Sequence, residues 1–166
     1  AELWFGRHPD HVRDLIAVTV SEGIGVGLLL NGQLVRGASA MAGEFGHVTL
    51  DESGPPCGCG KRGCWERYAS NSAAVRYYFD SGGRGQAVSA QPGSSQAFTE
   101  VIRSAGDGDA HAIDTIKRMA RYLGHGLAAL ATGLAPEVIV VVGEVTAAWD
   151  LVGPIVAEQV SKLALR

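Results

Sequence analysis

The sequence is short of charge, of long apolar runs and of cysteine, and each shortage excludes a class of protein. Only 19% of the 166 residues are charged, the formal net charge is −3, and lysine and arginine form no cluster. Because nucleic-acid binding needs a concentrated basic surface, we expect this chain to be a poor nucleic-acid binder by itself. No apolar run approaches the ~20 residues of a membrane-spanning helix, so we expect no membrane contact.

The cysteines are few, odd in number and confined to eight residues, from Cys57 to Cys64. A disulfide scaffold needs an even and denser set, so this count excludes a small secreted disulfide-rich fold. Clustered cysteines are instead typical of metal sites. We therefore expect a bound metal ion and a reducing, cytoplasmic setting.

The first forty residues predict an antiparallel meander. A β-rich run at 14–20 is followed by short strands at 27–30 and 33–36. The last two strands flank Asn31-Gly32, and an Asn-Gly pair between apolar runs is the strongest short-range signal for a hairpin.

The remainder of the chain predicts helices around one further strand. The predicted elements are a helix at 66–79, a Gly/Ser/Gln/Pro-rich loop at 80–95, a long helix, a buried strand at 137–142, a turn at 143–148 and a helix at 151–165. Strands followed by helices and a helix–strand–helix unit predict an α/β fold. A helix end at 1–6 without a start, and a last helix that runs to the terminus, lead us to expect a chain truncated at both ends.

The long helix has a clear start, stripe and end. Asp107 or Asp109 is the expected N-cap, and Gly133 and Pro136 are the expected end. The apolar stripe that should face the core follows steps of three and four residues: Ile113, Ile116, Met119, Leu123, Leu127 and Leu130. Within this helix, Gly124 and Gly126 flank His125 and predict close packing against another lobe or subunit.

The cysteine cluster has the spacing of a structural zinc site. Zinc favours tetrahedral nitrogen and sulfur ligation, and three cysteines with one histidine are a standard closed set. Cys57, Cys59 and Cys64 can reach one ion if the chain turns tightly, and three glycines permit this: Gly58, Gly60 and Gly63. His47 is a candidate fourth ligand, although the spacing alone leaves another residue open. We expect Trp65 to pack over this knuckle.

Two segments around this cluster closely resemble the signature of the ROK family. They are 43–47 (GEFGH) and 57–66 (CGCGKRGCWE), and the resemblance extends over 22–36 and 138–143. The family contains bacterial sugar kinases and sugar-responsive transcriptional repressors. The resemblance implies an actin-like ATPase (ribonuclease H-like) fold of two lobes, of which residues 1–166 would form most of the C-terminal lobe.

The resemblance also implies roles for particular side chains. His47, Cys57, Cys59 and Cys64 would hold zinc within a loop at 44–66. Glu44, His47 and Glu66 would face a sugar, and the protein would be a homodimer. Carboxylates suit adjacent sugar hydroxyls, and a metal-bound histidine can donate through its other ring nitrogen.

Two acidic residues favour the regulator branch of the family over the kinase branch. The resemblance implies that the glycine-rich segment at 20–27 and the turn after Gly143 face phosphate or nucleotide, yet they carry Glu22 and Glu144. The catalytic base of the family kinases would lie upstream of Ala1, so no catalytic residue is expected here. We therefore expect the sugar-sensing lobe of a transcriptional regulator, with a DNA-binding domain upstream.

Two alternatives stay open at this point. The first is the C-terminal lobe of an ATP-dependent sugar kinase similar to glucokinase, inactive as this fragment. The second is a zinc-stapled structural module that binds no ligand.

Overall fold

A four-stranded sheet organises the computed structural model, which describes residues 12–82 and 95–165. The strand order is β3-β2-β1-β4, where the strands are β1 (Leu15–Val20), β2 (Ile24–Leu30), β3 (Gln33–Leu34) and β4 (Val138–Gly143). β1 pairs antiparallel with β2 and parallel with β4, and β2 pairs antiparallel with β3. The predicted meander is therefore confirmed, with β4 added beside β1.

Two strands differ from their predicted bounds by more than one residue, and a third differs in burial. β2 begins at Ile24 rather than at residue 27, because the glycine-rich stretch pairs with β1 in register, Val20 opposite Ile24. β3 ends at Leu34 instead of running to residue 36. The strand predicted as buried at 137–142 is β4, which is half-buried at the edge of the described sheet, with Val142 41% exposed.

Five helices cover the sheet among the described residues. They are α1 (Glu66–Ala69), α2 (Asn71–Asp80), α3 (Ser95–Gly106), α4 (Ala110–Leu134) and α5 (Trp149–Leu163), with short 3-10 helices at Glu44–His47 and Glu144–Ala148. No helix in these parts of the chain is both long and apolar enough to span a bilayer.

The helix predicted at 66–79 is in fact two helices. Ser70 is extended, with ψ 167°, and its hydroxyl accepts a hydrogen bond from the Ala73 amide at 3.2 Å. A serine that caps a helix in this way ends one helix and begins another, so α1 and α2 meet at an angle that continuous helical spacing does not reveal.

The ends of the other helices are partly as predicted. Asp109, and not Asp107, caps α4 by accepting from the amides of His111 and Ala112. α4 passes through Gly133 and ends at Leu134, and the residue that caps it, Ala135, adopts a left-handed conformation with φ 42°. A 3-10 helix replaces the predicted turn at 143–148, and α3 was not predicted. The helix end expected at 1–6, and most of the loop expected at 80–95, lie outside the described residues.

The core lies between the helices and one face of the sheet. β1 is apolar on both faces because it is central, so Ile16 and Val18 face the helices while Leu15 and Ala17 pack with Leu29 on the other side. The predicted stripe of α4 is buried at every position except Ile113, which is half-buried.

Candidate metal centre and its surroundings

The 3-10 helix that carries Glu44 and His47 is pressed against β2. A Cβ atom on Gly43, which has φ 101°, would lie 2.0 Å from the Val26 carbonyl oxygen, and one on Gly46 would lie 2.3 Å from that of Ile24. Only glycine permits this approach. Because residues three apart align on a 3-10 helix, Glu44 and His47 present their side chains on the same side.

The cysteines lie on a tight loop closed by backbone hydrogen bonds. The Cys57 amide donates to the Lys61 carbonyl at 2.8 Å, and isolated bridges join Thr49 to Cys64 and Pro56 to Arg62. Gly60 and Gly63 have positive φ, and a Cβ on Gly63 would lie 1.6 Å from the Asp51 carbonyl oxygen. Gly58 has open space and no positive φ, so the tight turning depends on two of the three predicted glycines.

The four predicted metal ligands converge. One ligand atom from each of His47, Cys57, Cys59 and Cys64 lies within 4.8 Å of all the others. The Cys59 and Cys64 sulfurs are 3.6 Å apart, and the Cys57 sulfur is 3.6 Å from His47 Nδ1. Tetrahedral zinc with ordinary bond lengths requires separations of about 3.5–3.8 Å, so the donor set fits. His47 thus lies where the fourth ligand of such an ion would be needed.

The thiols differ in the ease with which they ionise. Burial raises the pKa of Cys57 to about 12 and also raises the pKa of Cys64, so both are neutral at pH 7 without an ion. Cys59 is exposed, and a hydrogen bond from the Lys61 amide lowers its pKa. Since metals bind thiolates, ion binding here would release protons.

Glu44 and Glu66 lie on either side of His47. Glu44 Oε2 is 3.8 Å from His47 Nε2, and Glu66 Oε1 is 3.5 Å from His47 Nδ1 and accepts from the Cys57 thiol at 3.1 Å. The side chains are 61% exposed for Glu44, 32% for His47 and 19% for Glu66. The structure therefore brings together all three residues expected to face a sugar.

Gly23 is a neighbour of this site that sequence reasoning missed. A Cβ atom on Gly23 would lie 2.8 Å from Glu66 Oε2, so the glycine turn between β1 and β2 makes room for this carboxylate. The glycine-rich stretch around Gly23 was the available signal, but its closeness to Glu66 depends on tertiary contacts.

Trp65 anchors the cysteine loop to α4. Its side chain is 1% exposed, its indole N–H donates to the Tyr122 carbonyl at 2.8 Å, and a Cβ on Gly126 would lie 1.9 Å from its ring. A Cβ on Gly124 would lie 2.6 Å from the Gln159 Cβ of α5. The close packing expected against another lobe or subunit is therefore made within this chain.

Glu22 and Glu144 lie on two turns at one edge of the sheet. β1 and β4 are parallel and Val20 pairs with Gly143, so the turns that follow these strands are neighbours. Glu22 is exposed, whereas Glu144 is half-buried and accepts from Asn71 Nδ2 at 2.9 Å. The backbone N–H of Asn71 donates to the Ser21 carbonyl at 2.8 Å. Asn71 was also missed, because a continuous helix was predicted across it.

Similar proteins include both enzymes and repressors. A glucokinase of Halalkalibacterium halodurans is 35% identical over 160 residues, which is 90% of this chain and 46% of that protein. The xylose repressor of Bacillus subtilis is 34% identical over 140 residues, 84% of this chain and 33% of that protein. The chain thus spans less than half the length of these relatives.

One solved structure has a similar fold over most of this chain. The ROK family glucokinase of Streptomyces griseus, in complex with glucose and AMPPNP, superposes with a TM-score of 0.80 at 31% identity over 95% of this chain and 53% of that one. The expected actin-like α/β fold is confirmed. The model of the ROK family matches residues 1–166, and the chain belongs to that family.

Proposed function

We propose that this chain is the sugar-binding lobe of a ROK-family transcriptional regulator, with Glu44, His47 and Glu66 as the sugar-contacting residues. The observation that carries the proposal is the convergence of two partly open carboxylates on His47 beside the metal ligands. Carboxylates accept from pairs of hydroxyl groups, and sugars offer such pairs.

Zinc is the proposed metal, and its role is structural. With three thiolates and His47 Nδ1 bound, all four tetrahedral positions are filled by protein, so no position remains for a reactive water. His47 Nε2 would then carry the proton and be a donor toward a ligand on the side of Glu44. The ion would hold the loop at 44–66 rigid, which keeps Glu44 and Glu66 in position.

Two carboxylates favour a regulator over a kinase. Phosphoryl transfer needs positive or neutral donors around the phosphates. Glu22 and Glu144 instead put negative charge on the adjacent turns that resemblance associates with phosphate and nucleotide. Sequence identity is nearly the same to a xylose repressor, 34%, and to a glucokinase, 35%, so the choice depends on these two carboxylates.

The organisation of the whole protein is part of the proposal. Residues 1–166 would be most of the C-terminal lobe, with a helix-turn-helix domain upstream and a homodimer in the cytoplasm. Sugar binding would change the closure of the two lobes and so move the DNA-binding domains.

A sugar kinase is the second candidate, and the glucokinase relatives favour it. An upstream helix-turn-helix sequence would support the regulator, whereas an N-terminal Asp-x-Gly-x-Thr hairpin would support the kinase. In either case this chain alone should not phosphorylate sugar, because the expected base lies outside it.

Titration calorimetry with a panel of hexoses, pentoses and N-acetylated amino sugars tests the site. We expect one sugar class to bind, and Glu44→Ala and Glu66→Ala each to weaken it about 10- to 100-fold, the value of a hydrogen bond to a charged group. Glu52→Ala, an exposed carboxylate on the same loop, is the control that should bind as the parent does. If no sugar binds, or both variants bind normally, the lobe is the structural module without a ligand or the site is elsewhere.

A further inference from the structure

Two arginines from different helices lie over the ring of one buried tyrosine. The guanidinium carbon of Arg118, on α4, is 4.0 Å from the centroid of the Tyr77 ring, and that of Arg76, on α2, is 5.2 Å from it. Tyr77 is 5% exposed, and its hydroxyl donates to the Tyr68 carbonyl at 3.1 Å. An aromatic face attracts cations, so this fixed ring holds two positive charges in one place.

Neither arginine is balanced by a carboxylate. Among the described residues no ion pair involves Arg76 or Arg118, whereas Arg103 on α3 has two carboxylate partners. One donor of Arg76 is used by the Arg67 carbonyl, and the rest of the described chain takes none of the other donors of this pair. Arg118 is exposed and Arg76 is half-buried. Two like charges over one ring repel, and an anion bound to both would relieve that repulsion.

A small cleft beside Tyr77 indicates which kind of anion fits. It has a volume of about 150 Å³ and is lined by Tyr77, Ser81, His111, Asp114, Thr115 and Arg118. The exposed Asp114 carboxylate offers acceptors only, and it would repel the phosphates of a nucleotide or a nucleic acid. A polypeptide instead offers backbone N–H donors to Asp114 and, where it is acidic, carboxylates to the arginines.

We propose that the arginine–tyrosine patch, which consists of Arg76, Tyr77, Arg118 and the adjoining cleft, is a docking surface for an acidic polypeptide segment of a partner protein. Arginine and tyrosine are enriched among the residues that carry binding energy at protein interfaces. The ring already restricts both guanidinium groups, so binding costs less side-chain entropy. The patch contains none of the proposed sugar or metal residues, so the proposal does not rest on the proposed function.

The test titrates octaglutamate into the isotopically labelled 166-residue chain at low ionic strength and follows amide shifts by NMR. We expect the shifts to change around the patch and not in the loop at 44–66. Arg76→Gln and Arg118→Gln should each weaken binding about fivefold, the value of one exposed charge pair. Arg103→Gln makes the same charge change where two carboxylates already balance the arginine, and it should alter affinity by less than about twofold.

Further variants separate a built surface from general attraction to charge. Tyr77→Leu keeps both charges but removes the ring, and it should weaken binding, whereas Tyr77→Phe keeps the ring and should bind as the parent does. If Tyr77→Leu does not fold, Arg118→Lys decides. It keeps the charge without the planar group, so it should bind more weakly than the parent, and equal binding would contradict the proposal.

Four outcomes would overturn the proposal. The first is that the parent does not bind octaglutamate, and the second is that Arg103→Gln weakens binding as much as Arg118→Gln. The third is tighter binding of an oligothymidylate of equal charge that depends on the two arginines, which would make the patch a nucleic-acid surface. The fourth is a parent dimer that dissociates in Arg76→Gln and Arg118→Gln, measured by sedimentation, which would make the occupant a second copy of this chain.

Discussion

The loop at 44–66 and the sheet edge around Glu144 each have a carboxylate at the start of a helical segment. The two carboxylates differ in their hydrogen-bond partners and in their access to solvent. Glu66 begins α1 and meets a thiol and a histidine, with part of its side chain open to solvent. Glu144 begins a 3-10 helix and accepts a hydrogen bond from Asn71 Nδ2 at 2.9 Å, and hydrogen bonding, its own backbone N–H first, lowers its pKa. The difference shows that a carboxylate can bind a ligand only where its oxygens are not already occupied by hydrogen bonds from the protein.

The largest expected effect is that metal removal unfolds the loop at 44–66 and leaves the sheet edge around Glu144 folded. Structural zinc contributes on the order of 10 kcal/mol in small metal-dependent domains, so a chelator should unfold the loop at 44–66. The sheet and α4 have an apolar core of their own and should persist. Hydrogen exchange measured with and without chelator should rise at 48–66 and stay unchanged around Asn71 and Glu144. Equal protection of the loop in both samples, with no metal in the purified protein, would contradict the zinc assignment.

The packing of Trp65 is the next test of how the loop is held. Gly126→Ala puts a methyl group 1.9 Å from the Trp65 ring, and overpacking of this kind costs about 1–3 kcal/mol. Gly133→Ala in the same helix meets nothing within 4 Å and should be neutral or stabilising by about 0.5–1 kcal/mol. Urea unfolding of both variants measures the contrast, and an equal effect of the two changes would show that Trp65 tolerates displacement.

A smaller effect is expected where the glycine turn meets Glu66. Gly23→Ala should displace Glu66 Oε2, which lies 2.8 Å from the new methyl group. Because a carboxylate at the end of a flexible side chain can move, stability should change little while sugar affinity falls by about tenfold. Gly25→Ala, which meets nothing within 4 Å, is the matched control. Calorimetry checks this, and unaltered affinity in Gly23→Ala would remove Glu66 from the sugar site.

The smallest effect concerns pH. The pKa of Glu144 is below its usual value of 4.5 in the folded chain, so ionised Glu144 adds stability above pH 4.5 that is lost as pH falls through the folded pKa. The parent should therefore exceed Glu144→Gln in melting temperature most at neutral pH, and the gap should narrow below pH 4.5. A gap that is constant across this range would mean that the charge of Glu144 does not stabilise the fold.

Local signals predicted much of the fold, and they failed where long-range contacts decide. The Asn31-Gly32 hairpin and the buried stripe of α4 depend on neighbouring residues and are predicted, and the cap is narrowed to Asp107 or Asp109. The break at Ser70 was not, because helical spacing continues across it while the serine hydroxyl ends one helix and caps the next.

The candidate site divides in the same way. The spacing of the cysteines predicts their convergence and offers His47 as a candidate fourth ligand, and the resemblance implies His47 and adds the two glutamates. The positions of Gly23 and Asn71 depend on contacts across the sheet edge, which spacing does not report. The packing of Gly124 and Gly126 was assigned to a partner, yet it is made by Gln159 and Trp65 of the same chain.

By itself, the sequence determined the donor set of the loop at 44–66, because residue types and short spacings along a chain limit which ion such a loop could hold. Only the tertiary structure decided which glutamate lies beside His47 and which is bonded to Asn71. Glu144 meets Asn71 across 73 positions of sequence, and a contact at that separation forms only when strands and helices pack together.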